Sequence, residues 1–289
     1  MNNEIEVYGN RNIEIEKSTV GYLLMDVDGC LIEGGLETVV NRKTLEEWSE
    51  ENFDSIELFR QNIKSLKNKG IKVGLSTGRG LEFSKRLINI FFPDEGGVRM
   101  DKSVVEGGLI IYDDETKNYE IASNVDKVST ELLQKNRDKI IQFGESLGGI
   151  LEEGKFLGVS FNSPVNSEGK RDTDKFRDLL KEKMDKYLVD NLIITNSSTA
   201  VDITPKGVDK MTAMESLIGN EGVIYLGDGK NDETSMKNIR VKINLAPGNS
   251  HKDIKDFIRT SGKMGILAEE PDLKGTNQVL SFLVEKMRK

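Results

Sequence analysis

The chain has 289 residues, 31% of them charged and 36% hydrophobic, with a formal net charge of −8. That length holds one large or two modest domains with a sizeable core, and the acidic balance argues against nucleic acid as a partner. One cysteine, Cys30, excludes an internal disulfide, and one histidine, His251, excludes most histidine-based metal sites and argues against Ser-His-Asp catalysis.

Residues 1–17 are polar and acidic with no apolar segment of signal-peptide type, and no apolar run approaches the roughly 18–20 residues of a membrane span. A cytoplasmic protein without a membrane partner is expected. Weak alternation (Ile5, Val7; Ile13, Ile15) predicts an edge hairpin around Gly9-Asn10. The run 21–25 reads as a strand buried on both faces. It ends in Asp26 and Asp28, with Gly29 free to turn the chain. Residues 31–52 read as an enlarged flap with a short helix carrying Leu45 and Trp48, the tryptophan serving that helix's core contact. A helix is expected over 57–69 and stops at Gly70. Residues 71–75 form a second buried strand, ending in Ser76-Thr77-Gly78-Arg79. A helix over 81–92 ends at Pro93, and 104–112 reads as one strand interrupted by Gly107-Gly108.

From about residue 113 the elements become amphipathic: helices over 128–147 and 173–188, strands over 156–161 and 192–195. The earlier pattern resumes at 198, with a strand at 200–203, a helix at 210–218 and a buried strand at 223–226. That strand runs into Gly227-Asp228-Gly229-Lys230-Asn231-Asp232. A strand at 241–245 and helices at 251–259 and 275–286 complete the chain. Strand–helix alternation with buried strands predicts a doubly wound, parallel, Rossmann-like α/β core (1–112 and 198–289). Residues 113–197 then form an inserted α+β domain. Nothing in the pattern specifies an oligomeric state.

In an open parallel sheet, ligands sit at the carboxyl ends of the strands. Asp26 with Asp28, Thr77 with Arg79, and Asp228 with Asp232 all fall at strand ends, while Lys206 and Lys210 flank a helix start. Acids crowded at one sheet edge raise each other's pKa, and a hard divalent cation removes that penalty. Mg²⁺ suits an all-oxygen set. Carboxylates, Mg²⁺, a lysine and a hydroxyl together describe a phosphoryl-transfer site.

Asp26-Val27-Asp28-Gly29, Ser76-Thr77-Gly78-Arg79, the lysine of Gly207-Val208-Asp209-Lys210, and Gly227 to Asp232 resemble the four motifs of the haloacid dehalogenase superfamily, in order. The insert between the second and third resembles the α+β cap of its Cof-type and sugar-phosphatase branch. The resemblance implies Asp26 as nucleophile and Mg²⁺ ligand, and Asp28 as general acid/base with its main-chain carbonyl on the metal. It also implies Thr77 on a phosphoryl oxygen, Lys210 neutralising charge, Asp228 as a metal ligand, and Asp232 as a ligand or its support. Gly29, Gly78, Arg79 and Asn231 line the substrate, Asn231 orienting Lys210 or the phosphate. Arg79 has a competing reading as a salt bridge to a core acid. Lys206 is the competing lysine, with a solvated side chain as its ordinary reading. Cys30 stands where the family has threonine and reads as packing, and Glu106-Gly107-Gly108 resembles the family's Glu-Asn-Gly without its asparagine. The function implied is a Mg²⁺-dependent phosphatase of a sugar phosphate or other small phosphorylated metabolite. A phosphomutase and a non-catalytic metabolite binder are the other readings.

Overall fold

A computed structural model describes residues 5–9, 20–37, 43–93, 97–166, 170–197 and 199–287. The central sheet has six strands in the order β1-β13-β12-β11-β2-β3. These are β1 (Glu6–Tyr8), β2 (Tyr22–Met25), β3 (Lys72–Leu75), β11 (Val223–Leu226), β12 (Val241–Ala246) and β13 (Met264–Leu267). All run parallel except β1, which pairs antiparallel with β13 at the edge. The first arm of the expected hairpin is therefore an edge strand. Its second arm, with Asn10, Ile13 and Ile15, lies outside the described residues.

Two hydrophobic cores cover the two faces, so the sheet is doubly wound. Leu23 and Met25 face one core, built with α2 (Phe53–Asn68), α3 (Leu81–Phe91) and α10 (Asp272–Lys286). Tyr22 and Leu24 face the other, with α7 (Lys210–Ile218) and α9 (Lys252–Thr260). Period-2 alternation along one strand thus feeds two apolar layers, which is why 22–25 and 223–226 read as unbroken apolar runs. The stretch read as a flap is packed: Leu31, Ile32, Leu36, Leu45 and Trp48 are buried in the first core, and α1 (Leu45–Glu51) sets Trp48 edge-on to Phe91. Residues 38–42 of that stretch lie outside the described residues.

The stretch 104–112 is two strands rather than one. β4 (Lys102–Val105) turns at Glu106–Gly108 into β5 (Ile110–Asp113), which pairs with β6 (Asn118–Ile121). Glu106, Gly107 and Gly108 all take positive φ, and this reverses the chain.

A four-stranded antiparallel sheet, β7-β8-β10-β9, comprises β7 (Ile150–Leu151), β8 (Val159–Asn162), β9 (Ile193–Asn196) and β10 (Ala200–Thr204). Helices α4 (Lys127–Ser146), α5 (Thr173–Lys183) and α6 (Lys186–Asn191) pack on one face around Leu133, Ile140, Phe161, Phe176, Val201 and Ile203. The helix expected over 173–188 is therefore broken in two. The strand at 200–203, expected with the core strands, instead pairs with β8 and β9. Its alternation, with Val201 and Ile203 buried and Asp202 partly exposed, is that of a half-covered antiparallel strand. The short helix α8 (Glu233–Lys237) and β13 were not anticipated. No helix among the described residues is long and apolar enough to cross a membrane.

The turn after β4 is a tight contact. A Cβ on Gly108, at φ +110°, would lie 2.6 Å from the Asp209 carbonyl and 2.8 Å from Lys210 N. Gly108→Ala should therefore cost about 2–3 kcal/mol and displace the start of α7. Urea denaturation checks this by a lowered midpoint; an unchanged midpoint contradicts the close packing.

Candidate functional site

β2 and β11 are neighbours in parallel register, Met25 beside Leu226. Asp26 and Gly227 therefore emerge side by side, and Asp26 N donates to Leu226 O at 2.9 Å. Asp26 is buried, and Lys210 Nζ at the first turn of α7 reaches its Oδ1 at 3.0 Å. The same ammonium lies 3.1 Å from Asp232 Oδ1. Lys206, by contrast, is exposed, and its backbone pairs with Ser129 and Asp126 at the start of α4. Of the two lysines, Lys210 is the one that lies beside Asp26.

Asp232 is fully buried and its oxygens are shared among four donors. Tyr225 Oη donates to Oδ1 at 3.0 Å beside Lys210, while the backbone N–H groups of Asp228 and Gly229 approach Oδ2 at 3.3 Å each. A short 3₁₀ turn, Lys230–Asp232, aims Asp232 inward and leaves Asn231 exposed over Gly229. The orientation of Lys210 expected of Asn231 is supplied by Asp232.

One carboxylate oxygen each from Asp26, Asp228 and Asp232 lie within 4.8 Å of one another. Burial, then the negative charge of Asp232, push Asp26 well above the usual carboxylate range, with Lys210 opposing. The same causes push half-buried Asp228 up to about 7. Burial works against the Lys210 charge, but Asp232 and Asp26 outweigh it and hold its pKa up. Three converging oxygen donors, among them Asp26 and Asp228 with their raised pKa values, fit a hard divalent cation, whose charge would replace the protons on those two.

The Asp28 carboxylate lies apart from these three. Arg79 grips it in a bidentate pair, Nε to Oδ2 at 2.8 Å and Nη2 to Oδ1 at 2.6 Å. Of the two readings of Arg79, the salt bridge is the one present, although its partner is a candidate catalytic acid. Arg79 is itself buried, with its guanidinium 4.5 Å from the Phe83 ring centroid. Thr77 is buried; its Oγ1 accepts from Arg79 N at 3.1 Å, so its own proton remains available to a ligand. Gly78 beside it is exposed. Gly29, at φ +73°, packs beneath the Asp228 carboxylate, where a Cβ would collide. Asn249 Nδ2 donates to Gly29 O at 2.9 Å and fixes that turn. Cys30 is buried, its thiol pushed up by burial, in keeping with a packing role.

Three residues were not singled out from the sequence as site-builders. Tyr225 sits in an apolar run and reads as core, and its hydroxyl role depends on Asp232 being brought back under it. Ser76, 3.2 Å from Tyr225 Oη, belongs to the same network. Glu106 is buried. Its carboxylate accepts from the backbone N–H groups of Phe156, Leu157 (2.9 Å) and Gly158 (3.3 Å). It ties the loop before β8 to the turn after β4.

A family model described as haloacid dehalogenase-like hydrolase matches residues 150–261. No curated protein matches the chain by sequence. Among solved structures, a haloacid dehalogenase-like hydrolase from Bacteroides thetaiotaomicron is 16% identical, with 92% of this chain and 100% of that chain covered at a TM-score of 0.61. A protein from Thermoplasma acidophilum is 17% identical, with 93% and 100% covered at 0.57. A trehalose-6-phosphate phosphatase related protein is 19% identical, with 92% and 97% covered at 0.56. At these identities the structural likeness is one of fold. The chain is thus similar in sequence to the haloacid dehalogenase-like hydrolases over residues 150–261, and it shares their fold over more than nine-tenths of its length.

Proposed function

We propose that the protein is a Mg²⁺-dependent phosphomonoester hydrolase that acts on a sugar phosphate or other small phosphorylated metabolite through an aspartyl-phosphate. The observation that carries this reading is the division of labour among the acids. Asp26 and Asp232 share one buried lysine, whereas Asp28, two residues from Asp26, is held apart by Arg79. One carboxylate is thereby set for attack and another for proton transfer.

In the first step an Asp26 carboxylate oxygen bonds to phosphorus as the ester P–O bond breaks, and Asp28 gives a proton to the leaving oxygen. In the second step Asp28 takes a proton from water, the water oxygen bonds to phosphorus, and the acyl-phosphate P–O bond breaks to restore Asp26. Lys210 neutralises charge on Asp26 and on the phosphoryl group, and Thr77 donates its hydroxyl proton to a phosphoryl oxygen. Asp26, Asp228, Asp232 and the main-chain carbonyl of Asp28 would hold Mg²⁺, which supplies charge neutralisation for the phosphoryl oxygens. The four-stranded sheet with α4–α6 is read as a cap over this edge that limits water and selects the leaving group. Its connections run near 122–126 and 204–207, where Asp126 N bonds Lys206 O at 2.9 Å.

Asp26→Asn should lower phosphate release at least about 10³-fold while circular dichroism remains that of the folded protein. Substantial turnover in that variant would sink the nucleophile assignment. Lys210→Ala should lower kcat about 10²-fold and cost about 3–5 kcal/mol, because it strands two buried carboxylates. Lys206→Ala should change neither quantity; equal losses in both variants contradict the choice of lysine.

The raised Asp228 pKa sets a pH dependence. An acid whose folded pKa, about 7, exceeds its ordinary value of 3.8 takes up a proton on folding between those pH values. Its contribution to cation-free stability therefore declines as pH rises through that interval. Mg²⁺ competes with the same proton, so the rise in Tm on adding Mg²⁺ should grow between about pH 5.5 and pH 8. Thermal scans of EDTA-treated protein with and without Mg²⁺ check this. A Tm shift constant over that range contradicts it.

A further inference from the structure

We propose that Lys155, Glu152 and Asp202 form a subsite for the leaving group, which accepts a neutral, hydroxyl-rich moiety and rejects one carrying a second negative charge. The proposal rests on the phosphatase reading above.

The helix-free face of the four-stranded sheet is polar. Asp202 on β10 stands opposite Ser160 on β8. Ser160 is fully buried, and its hydroxyl has no hydrogen-bond partner among the described residues. Lys155 reaches Asp202 Oδ1 at 2.8 Å and Glu152 Oε2 at 3.5 Å, and its side chain is only 11% exposed. Burying an ammonium is costly without such partners.

The loop that carries it is pinned from both sides. Arg137 donates to Lys155 O and Gly158 O at 2.8 Å each, and Glu106 accepts from the three N–H groups of 156–158. A solvated lysine needs none of this support. The loop also abuts the candidate catalytic acid. Gly80, directly after Arg79, packs against Gly154 and Lys155 so closely that a Cβ would collide. Glu152 lies within electrostatic reach of Arg79, which grips Asp28. Charges therefore alternate in file from Asp28 through Arg79, Glu152 and Lys155 to Asp202.

A leaving oxygen that takes its proton from Asp28 carries the rest of its group along this file. Asp202 and Glu152, whose side chains are 31% and 23% exposed, keep lone pairs for hydroxyl donors, and Lys155 donates to a hydroxyl oxygen. One lysine against two acids leaves one uncompensated negative charge, which repels a carboxylate or second phosphate on the ligand.

The test compares glucose 6-phosphate with 2-phosphoglycolate, using the full chain with Mg²⁺. Wild type should favour the sugar phosphate. Asp202→Asn, and likewise Glu152→Gln, should shift the kcat/KM ratio toward 2-phosphoglycolate by about tenfold, as expected for removing one nearby charge at an intermediate dielectric. Asp185→Asn makes the same change of net charge on the helical side of the sheet and should leave the ratio unmoved. A ratio unmoved by Asp202→Asn, or moved equally by Asp185→Asn, overturns the subsite. If wild type releases phosphate from neither compound, the phosphatase reading is what fails. Calorimetric titration of both compounds onto wild type and Asp202→Asn then still decides the subsite: the Kd ratio must shift in the same direction, and an unchanged ratio overturns it.

Discussion

The ammonium of Lys210 lies buried between the carboxylates of Asp26 and Asp232, and the surrounding structure is arranged to keep it there. Parallel pairing of β2 with β11 delivers acids to one sheet edge, where like charges would otherwise repel in a poorly solvated place. The lysine offsets part of that cost. Tyr225 and two backbone N–H groups spread the charge of Asp232 further. What remains uncompensated appears as the raised pKa values of Asp26 and Asp228, a standing electrostatic demand that a bound cation would relieve. Close approaches at Gly29, beneath the Asp228 carboxylate, and at Gly108, against the backbone of Asp209 and Lys210, are the steric side of the same arrangement, since a Cβ there would displace that carboxylate or the start of α7.

A second buried acid works differently. Glu106 forms no direct ion pair among the described residues and is satisfied by backbone donors of the loop at 156–158. A carboxylate accepting several N–H groups is well held without an ion pair. Its bonds fix the four-stranded sheet's loop against the turn leading out of β4, beside Arg79 and Gly80. The grip of Arg79 on Asp28 and the placement of Lys155 thus share one structural support. The acid read as the proton donor and the groups read as choosing its leaving group are mechanically joined.

Much of this was legible in the chain itself. Unbroken apolar runs at 22–25 and 223–226 marked strands covered on both faces, and the acids after them fell at the sheet edge. The stretch 200–203 reads as a strand, but its position after the insert suggested the core sheet, and the half-covered alternation of Val201, Asp202 and Ile203 belongs to the other one. Partner choice between strands is a long-range matter that local pattern leaves open. α8, at five residues, was too short to carry a periodic signal of its own.

Residue types and their spacing by themselves determined the doubly wound core and brought forward the acids, the hydroxyl and two competing lysines as candidates for the site. These follow from local periodicity and from the chemistry of side chains. Only the tertiary structure decided between Lys206 and Lys210, because that choice turns on which ammonium the first turn of α7 points at Asp26. It also turned Asp232 inward and Asn231 outward, gave Arg79 to Asp28, and brought Tyr225 to Asp232, Glu106 to the loop at 156–158 and Lys155 to Asp202. Each of these depends on groups far apart in the chain meeting within hydrogen-bond distance, a fact that no single stretch of sequence contains.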